Sequence, residues 1–168
     1  MLYLLDADTL IRADRDAYPI NRFPLLWEWL LFQGHERRVK IPVEQYEEIV
    51  AGRGDLVEWL CIPEHRKALM LEDEVDMTTV QLVLSEGYAP DLNEVEIDRI
   101  GRDPFLVAHG MAAPGERTVV TFEVSAPSKQ RANRKVPDVC ALFGVPCINI
   151  FELIRSLNFS MNWRPDAR

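Results

Sequence analysis

Four acids, Asp6, Glu48, Asp103 and Glu123, stand at places in the sequence where a fold can bring carboxylates together. Asp6 follows the apolar run Leu2 to Leu5, and Glu123 follows the β-branched run Thr118 to Phe122. Glu48 lies in a stretch with helical patterning, and Asp103 directly precedes Pro104 at the first turn of a predicted helix. Gathered carboxylates repel one another and stay ionised only beside a cation or by sharing protons. An oxygen-only donor set favours Mg²⁺ or Mn²⁺ over zinc. Such ions activate water and stabilise the charge that builds on a phosphodiester during an in-line displacement. Each acid also has a plainer explanation: Asp103 caps its helix, and Glu48 lies on a solvated face. Their joint placement is what favours a cluster.

The elements that must position these acids follow from patterning. Leu2 to Leu5 reads as a buried strand that delivers Asp6 at its carboxyl end, with a helix following from about Thr9. Phe23 to Phe32 is apolar nearly all round, with Pro24 early, so it reads as a deeply buried helix with Gly34 placed to end it. Val39 to Ile41 is a second strand, and Pro42 opens a helix carrying Glu44, Glu47 and Glu48 that stops near Gly52. Residues 55–100 read as several short helices, broken at Pro63 and from Gly87 to Pro90. The run Glu72-Asp73-Glu74 suits a solvated helix start. Pro104 begins a helix through Ala112, Thr118 to Phe122 is a third strand, and Cys147 to Ile150 a fourth. The last helix spans Phe151 to Leu157.

Strands alternating with helices imply an α/β fold with a mostly parallel sheet covered on both faces, and ligands then collect at the strands' carboxyl ends. A chain of 168 residues, 48% hydrophobic, suffices for one domain with one sizeable core, so residues 1–168 are expected to be a single domain.

Nineteen Lys and Arg against 27 Asp and Glu give a net charge of −8, which repels nucleic acid and anionic membrane surfaces as a whole. A polyanion must therefore meet a local basic patch, and Lys129, Arg131, Arg134 and Lys135 lie in the longest acid-free run. Arg102 and Arg99 flank the third acid and suit either phosphate contact or charge balance. Cys61, Cys140 and Cys147, odd in number and without a close pair, suggest reduced, mostly buried thiols. The opening MLYLL is too short for a signal or a membrane span, which points to the cytoplasm and to no membrane partner. His109 suggests packing or surface, and Trp27 and Trp29 core or dimer contacts.

The segments LYLLDADTLI, IPVEQYEEIVAG, RDPFLVAHGMA and VVTFE together resemble the acidic motifs of PIN-domain nucleases. The resemblance narrows, through YPINRFPLLWEWL and KVPDVCALFGVPCI, to a PIN-like subgroup known as DUF4411, related to toxin nucleases of toxin and antitoxin pairs. It implies a three-layer fold with a four- or five-stranded sheet and a metal-dependent endoribonuclease. Asp6, Glu48 and Asp103 would be the metal-holding acids, with Glu123 as the fourth. Asp8 stands where the first motif usually has Asn or Ser, and Glu123 where the family has Asp or Asn. Glu47 competes with Glu48, because adjacent helical residues point about a hundred degrees apart and only one can face the cleft. Thr121 is expected to steady the site, and Asp138 to support it or cap the next helix. An antitoxin protein and a homodimer are the implied partners beside RNA.

Two other readings compete. Asp6-Ala7-Asp8-Thr9 looks like the opening motif of haloacid-dehalogenase-type phosphatases, although that motif has one more residue before its Thr. A PIN-like module that keeps its acids and acts by binding is the non-enzymatic alternative.

Overall fold

The computed structural model describes residues 1–164. Five strands, β1 (Leu2–Leu5), β2 (Val39–Pro42), β3 (Met70–Leu71), β4 (Arg117–Val120) and β5 (Cys147–Ile148), form one sheet in the order β3-β2-β1-β4-β5. Every pairing is parallel. The fold is therefore α/β, as the alternation of elements predicted. The strands are short apolar runs whose alternate residues enter opposite layers. Leu5 and Val120 join one core and Leu4 and Val119 the other, so the sheet is covered on both faces.

One layer contains α1 (Ala7–Arg12), α2 (Pro24–His35), α3 (Val43–Val50), α4 (Asp55–Leu60), α5 (Pro63–Leu69) and α10 (Ile150–Ser156). The other holds α6 (Met77–Leu82), a π-helical turn at Val83–Tyr88, α7 (Glu94–Ile100), α8 (Asp103–Met111) and α9 (Val136–Leu142). Trp27 and Trp29 are both 2% exposed, so α2 is buried as its all-round apolar pattern predicted, and these indoles belong to the core. Among the described residues no helix is long and apolar enough to cross a membrane.

Four expectations are corrected. Gly34 does not end α2 but lies inside it. A Cβ there would meet Leu69 Cδ2 at 2.8 Å and the Ala68 carbonyl at 2.9 Å, so the glycine permits the close approach of α5. The stop is made by Arg37, in the left-handed region at φ 56°, with its N–H on the Gly34 carbonyl. Residues 55–100 are not all helical, because Met70–Leu71 pairs with Ile41 and Pro42 as the fifth strand. Glu72-Asp73-Glu74 is irregular chain after that strand. The helix start is Asp76, whose carboxylate accepts from the Thr78 N–H, while Asp73 pairs with Arg117 at 2.6 Å. Cys61 is exposed, Cys147 half-buried and only Cys140 buried, all three as free thiols.

Candidate functional site

Asp6 is positioned by the sheet. β1 and β4 pair with Leu5 opposite Val120, and the ladder continues one step through the Asp6 N–H to the Val120 carbonyl at 3.0 Å. That step sets Asp6 beside Thr121, the residue after β4, whose hydroxyl donates to Asp6 Oδ2 at 2.7 Å. Thr121 Oγ1 also accepts from the Glu123 N–H at 3.1 Å, so one hydroxyl fixes both the first acid and the turn carrying the fourth. The expected supporting role of Thr121 has this geometry.

Asp6 is 5% exposed, and its carboxyl is pushed up to about 7. Burial is the main cause and the Thr121 hydrogen bond opposes it, while the charges of Asp8, Glu48 and Glu123 add to the rise. Asp103 occupies the first position of α8 without a side-chain cap bond, so it is not the helix cap that the plainer explanation required. Its carboxyl is also raised well above the usual range, first by burial and then by Asp6, Glu123 and Glu48. Asp103 thus lies in the field of Asp6, and Glu48 and Glu123 act on both.

Glu48 is exposed on α3, and desolvation on its inner side raises its carboxyl against the pull of Arg102. Its charge is felt by both Asp6 and Asp103. Glu47 pairs instead with Arg102 at 3.4 Å on the outer surface, so of the two neighbours Glu48 faces the cluster. Gln45, one turn earlier, donates to the Arg102 carbonyl at 2.9 Å and ties α3 to the start of α8. Asp8 is half-exposed and pairs with Arg12 one turn along α1 at 3.6 Å.

Glu123 has both oxygens engaged: Oε1 accepts from Lys135 Nζ at 2.6 Å and Oε2 from the Val136 N–H at 2.7 Å. The fourth acid therefore caps the start of α9. That leaves Asp138 without the capping role given to it. Its carboxylate accepts from the Ser125 hydroxyl at 2.5 Å and the Ala126 N–H at 2.8 Å, closing the turn after Glu123. Among the described residues no group of three or more His, Cys, Asp or Glu side chains is already arranged to hold a metal ion.

The basic residues divide. Arg131, at φ 53°, is bound to Asp91 and Glu96, each at 2.6 Å, and Arg134 donates to the Gly87 carbonyl. Both are tied down within the fold rather than presented to phosphate. Lys129 is exposed and Lys135 half-buried, and the Lys135 ammonium lowers the Asp103 carboxyl, which places it at the edge of the acids.

Two features escaped the sequence. The Tyr88 hydroxyl is buried without a hydrogen-bond partner and feels the charges of Asp103, Glu123 and Asp6. Burial raises the phenol, keeping it neutral as a donor at the back of the site. The break at Gly87 to Pro90 marks its turn but nothing marks its direction. His109, 0% exposed, has Nε2 at 3.0 Å from Glu44 Oε2, so a buried pair links α8, which carries Asp103, to α3, which carries Glu48. Beside the acids, a cavity of about 510 Å³ opens at the carboxyl ends of β4 and β5, lined by Arg12, Thr121, Glu123 and Phe151 among others.

No curated protein and no solved structure matches this chain. A family model does, over residues 3–161, described as a domain of unknown function, DUF4411. That match spans nearly the whole sequence, and the chain belongs to the DUF4411 family.

Proposed function

We propose that this chain is a PIN-like, metal-dependent endoribonuclease acting in the cytoplasm, the toxin of a toxin and antitoxin pair. The elevation of both Asp6 and Asp103, with the charge of Asp6 adding to the rise of Asp103, carries the reading, because desolvated acids held close together favour either a shared proton or a cation. The donor chemistry fits Mg²⁺ or Mn²⁺: the groups are all carboxylate oxygen, and Thr121 occupies only one oxygen of Asp6. Asp6, Asp103 and Glu48 would hold the ion, with Glu123 assisting. When bound, the ion supplies Lewis-acid stabilisation of phosphoryl oxygens and acidifies a water.

The protein's own groups do the rest. Thr121 fixes the orientation of Asp6, and burial keeps bulk water from screening the charges. Lys135 stands where a phosphate approaching the acids would meet a cation, with Arg102 on the outer rim, and the exposed Lys129 would extend that contact along the bound strand. RNA is the substrate in this reading, an antitoxin covering the acidic cleft is the regulatory partner, and a homodimer is the assembly.

The test is incubation of the purified chain with labelled RNA and DNA, in Mg²⁺, Mn²⁺ or chelator, beside Asp6→Asn. Divalent-dependent RNA cleavage lost in the variant supports the reading, and cleavage retained in chelator or in the variant overturns it. The binding-module alternative draws on one observation, the engagement of both Glu123 oxygens by Lys135 and Val136. RNA binding without cleavage in any divalent ion would favour it.

A further inference from the structure

Across the sheet from the acids lies a second cavity, about 570 Å³, at the amino-terminal ends of β1 and β2 and against α5. Its charged rim is Arg37, Lys40, Arg66 and Lys67. None of these four forms an ion pair among the described residues, in a chain with eight more acids than bases. Of the two acids on the rim, Asp73 is neutralised by Arg117, leaving Glu72 against four cations. Burial, and then the neighbouring charge of Arg37, lower the Lys40 ammonium, so these two cations stand close together. Lys40 donates to the Ala68 carbonyl at the end of α5, which holds its ammonium at the cavity wall.

Arg37 makes the cluster hard to attribute to solvation alone. It occupies the left-handed position that ends α2, where helices ordinarily carry glycine because a Cβ is penalised. An arginine there sacrifices backbone comfort and places a cation on the rim. The apolar part of the lining is Leu2, Pro63, Met70 and Leu71, of which Met70 and Leu71 are buried and serve as its floor. A volume of this size falls within the range of small-molecule sites, and an apolar floor under a cationic rim accommodates a flat ring with an attached polyanion.

We infer that this cavity binds a nucleoside polyphosphate, with the phosphates on Arg37, Lys40, Arg66 and Lys67 and the ring system on the apolar floor. The charge surplus of the rim matches a di- or triphosphate rather than a monoanion. The site is independent of the acid cluster and of the nuclease reading.

Calorimetric titration of the full chain with ADP, in chelator so that the acids recruit no cation, tests the inference. ADP is expected to bind in one equivalent, and Lys67→Glu to weaken it about tenfold or more. Arg37→Gly separates function from structure: it is expected to raise the melting temperature, by relieving the left-handed arginine, while weakening ADP about tenfold. Absence of ADP binding up to millimolar concentration overturns the proposal. So does ADP affinity unchanged in both variants, or pyrophosphate binding as tightly as ADP, which would leave the apolar floor without a role.

Discussion

The Thr121 hydroxyl donates to Asp6 Oδ2 at 2.7 Å, across the seam between the ends of β4 and β1. The bond exists because Leu5 and Val120 are paired in the ladder, so the next residues on each strand emerge side by side. It favours the charged form of Asp6 against burial, which pushes the other way. Thr121→Val keeps the shape and removes the donor. The expected result is an Asp6 carboxyl raised further above about 7, followed by carboxyl NMR titration, with a stability loss of about 1 kcal/mol. An unmoved titration would show that Thr121 does not hold Asp6 in solution.

The raised Asp6 carboxyl has a definite consequence for stability. The folded chain takes up this proton near pH 7 and the unfolded chain near 3.8, so between those values the folded state binds more protons. Stability of the ion-free protein therefore falls as pH rises through that window, by up to about 1.4 kcal/mol per pH unit for a single group. Asp103, raised in the same direction, steepens the slope. Glu96, lowered from 4.5 to about 2 chiefly by Arg131, and His109, lowered from 6.5 by burial, work in the opposite sense, Glu96 overlapping only the foot of the window and His109 acting within it. Thermal melts in chelator from about pH 5 to about pH 8 should show the decline. Asp6→Asn should flatten it and be more stable than the parent at the alkaline end.

How much of this was legible in advance depends on how each feature is encoded. β1, β2, β4 and β5 announce themselves as apolar runs, and Asp6 follows from the first of them, whereas Glu48 and Asp103 follow from the helices that Pro42 and Pro104 open. β3 is two residues long, too short for an alternation to register, and only its pairing with β2 defines it. Gly34 illustrates a different limit: a glycine near a helix end has two uses, and the choice depended on how closely α5 approaches. Sequence position points to Glu123 as the fourth acid and to Asp138 as a support or cap, and gives no sign that their oxygens accept from the Lys135 ammonium and from N–H and hydroxyl groups of the turn that connects them. Such local hydrogen bonds depend on loop geometry, which no periodicity reports. Arg131 stands among basic neighbours in the sequence, whereas its partners Asp91 and Glu96 lie in a remote segment.

The buried pair between Glu44 Oε2 and His109 Nε2 joins the helices that carry Glu48 and Asp103. Burial lowers His109 more than Glu44 raises it, so the imidazole is neutral at physiological pH and donates from Nε2, leaving Nδ1 without a partner. Removing the acceptor strands a buried donor. Glu44→Ala is expected to cost about 2 to 4 kcal/mol in denaturant unfolding. Glu44→Met combined with His109→Leu should recover most of that, because two apolar side chains have no polar group to satisfy. A double variant as unstable as the single one would mean that the pair's contribution is packing rather than polar satisfaction.

Lys135 is placed to do two opposed things at once. Its ammonium pairs with Glu123 at 2.6 Å and lowers the Asp103 carboxyl, so it supplies part of the positive charge that a divalent ion would otherwise bring. On the nuclease reading it is also a cation that an incoming phosphate meets. Lys135→Ala frees a Glu123 oxygen and leaves the acids less compensated, so Mn²⁺ should bind about tenfold more tightly by calorimetry. The same change withdraws a phosphate contact, so RNA cleavage should fall by about tenfold despite the better-held ion. Glu123→Gln should weaken Mn²⁺ if Glu123 joins the ion once Lys135 is displaced, and leave it unchanged if Glu123 serves only as the cap of α9. Affinity and activity moving in opposite directions in Lys135→Ala is the signature of a residue that competes with the metal and assists the substrate. Both falling together would make Lys135 a structural support of the turn, and the acid cluster would then have to discharge its repulsion through Asp6 and Asp103 alone.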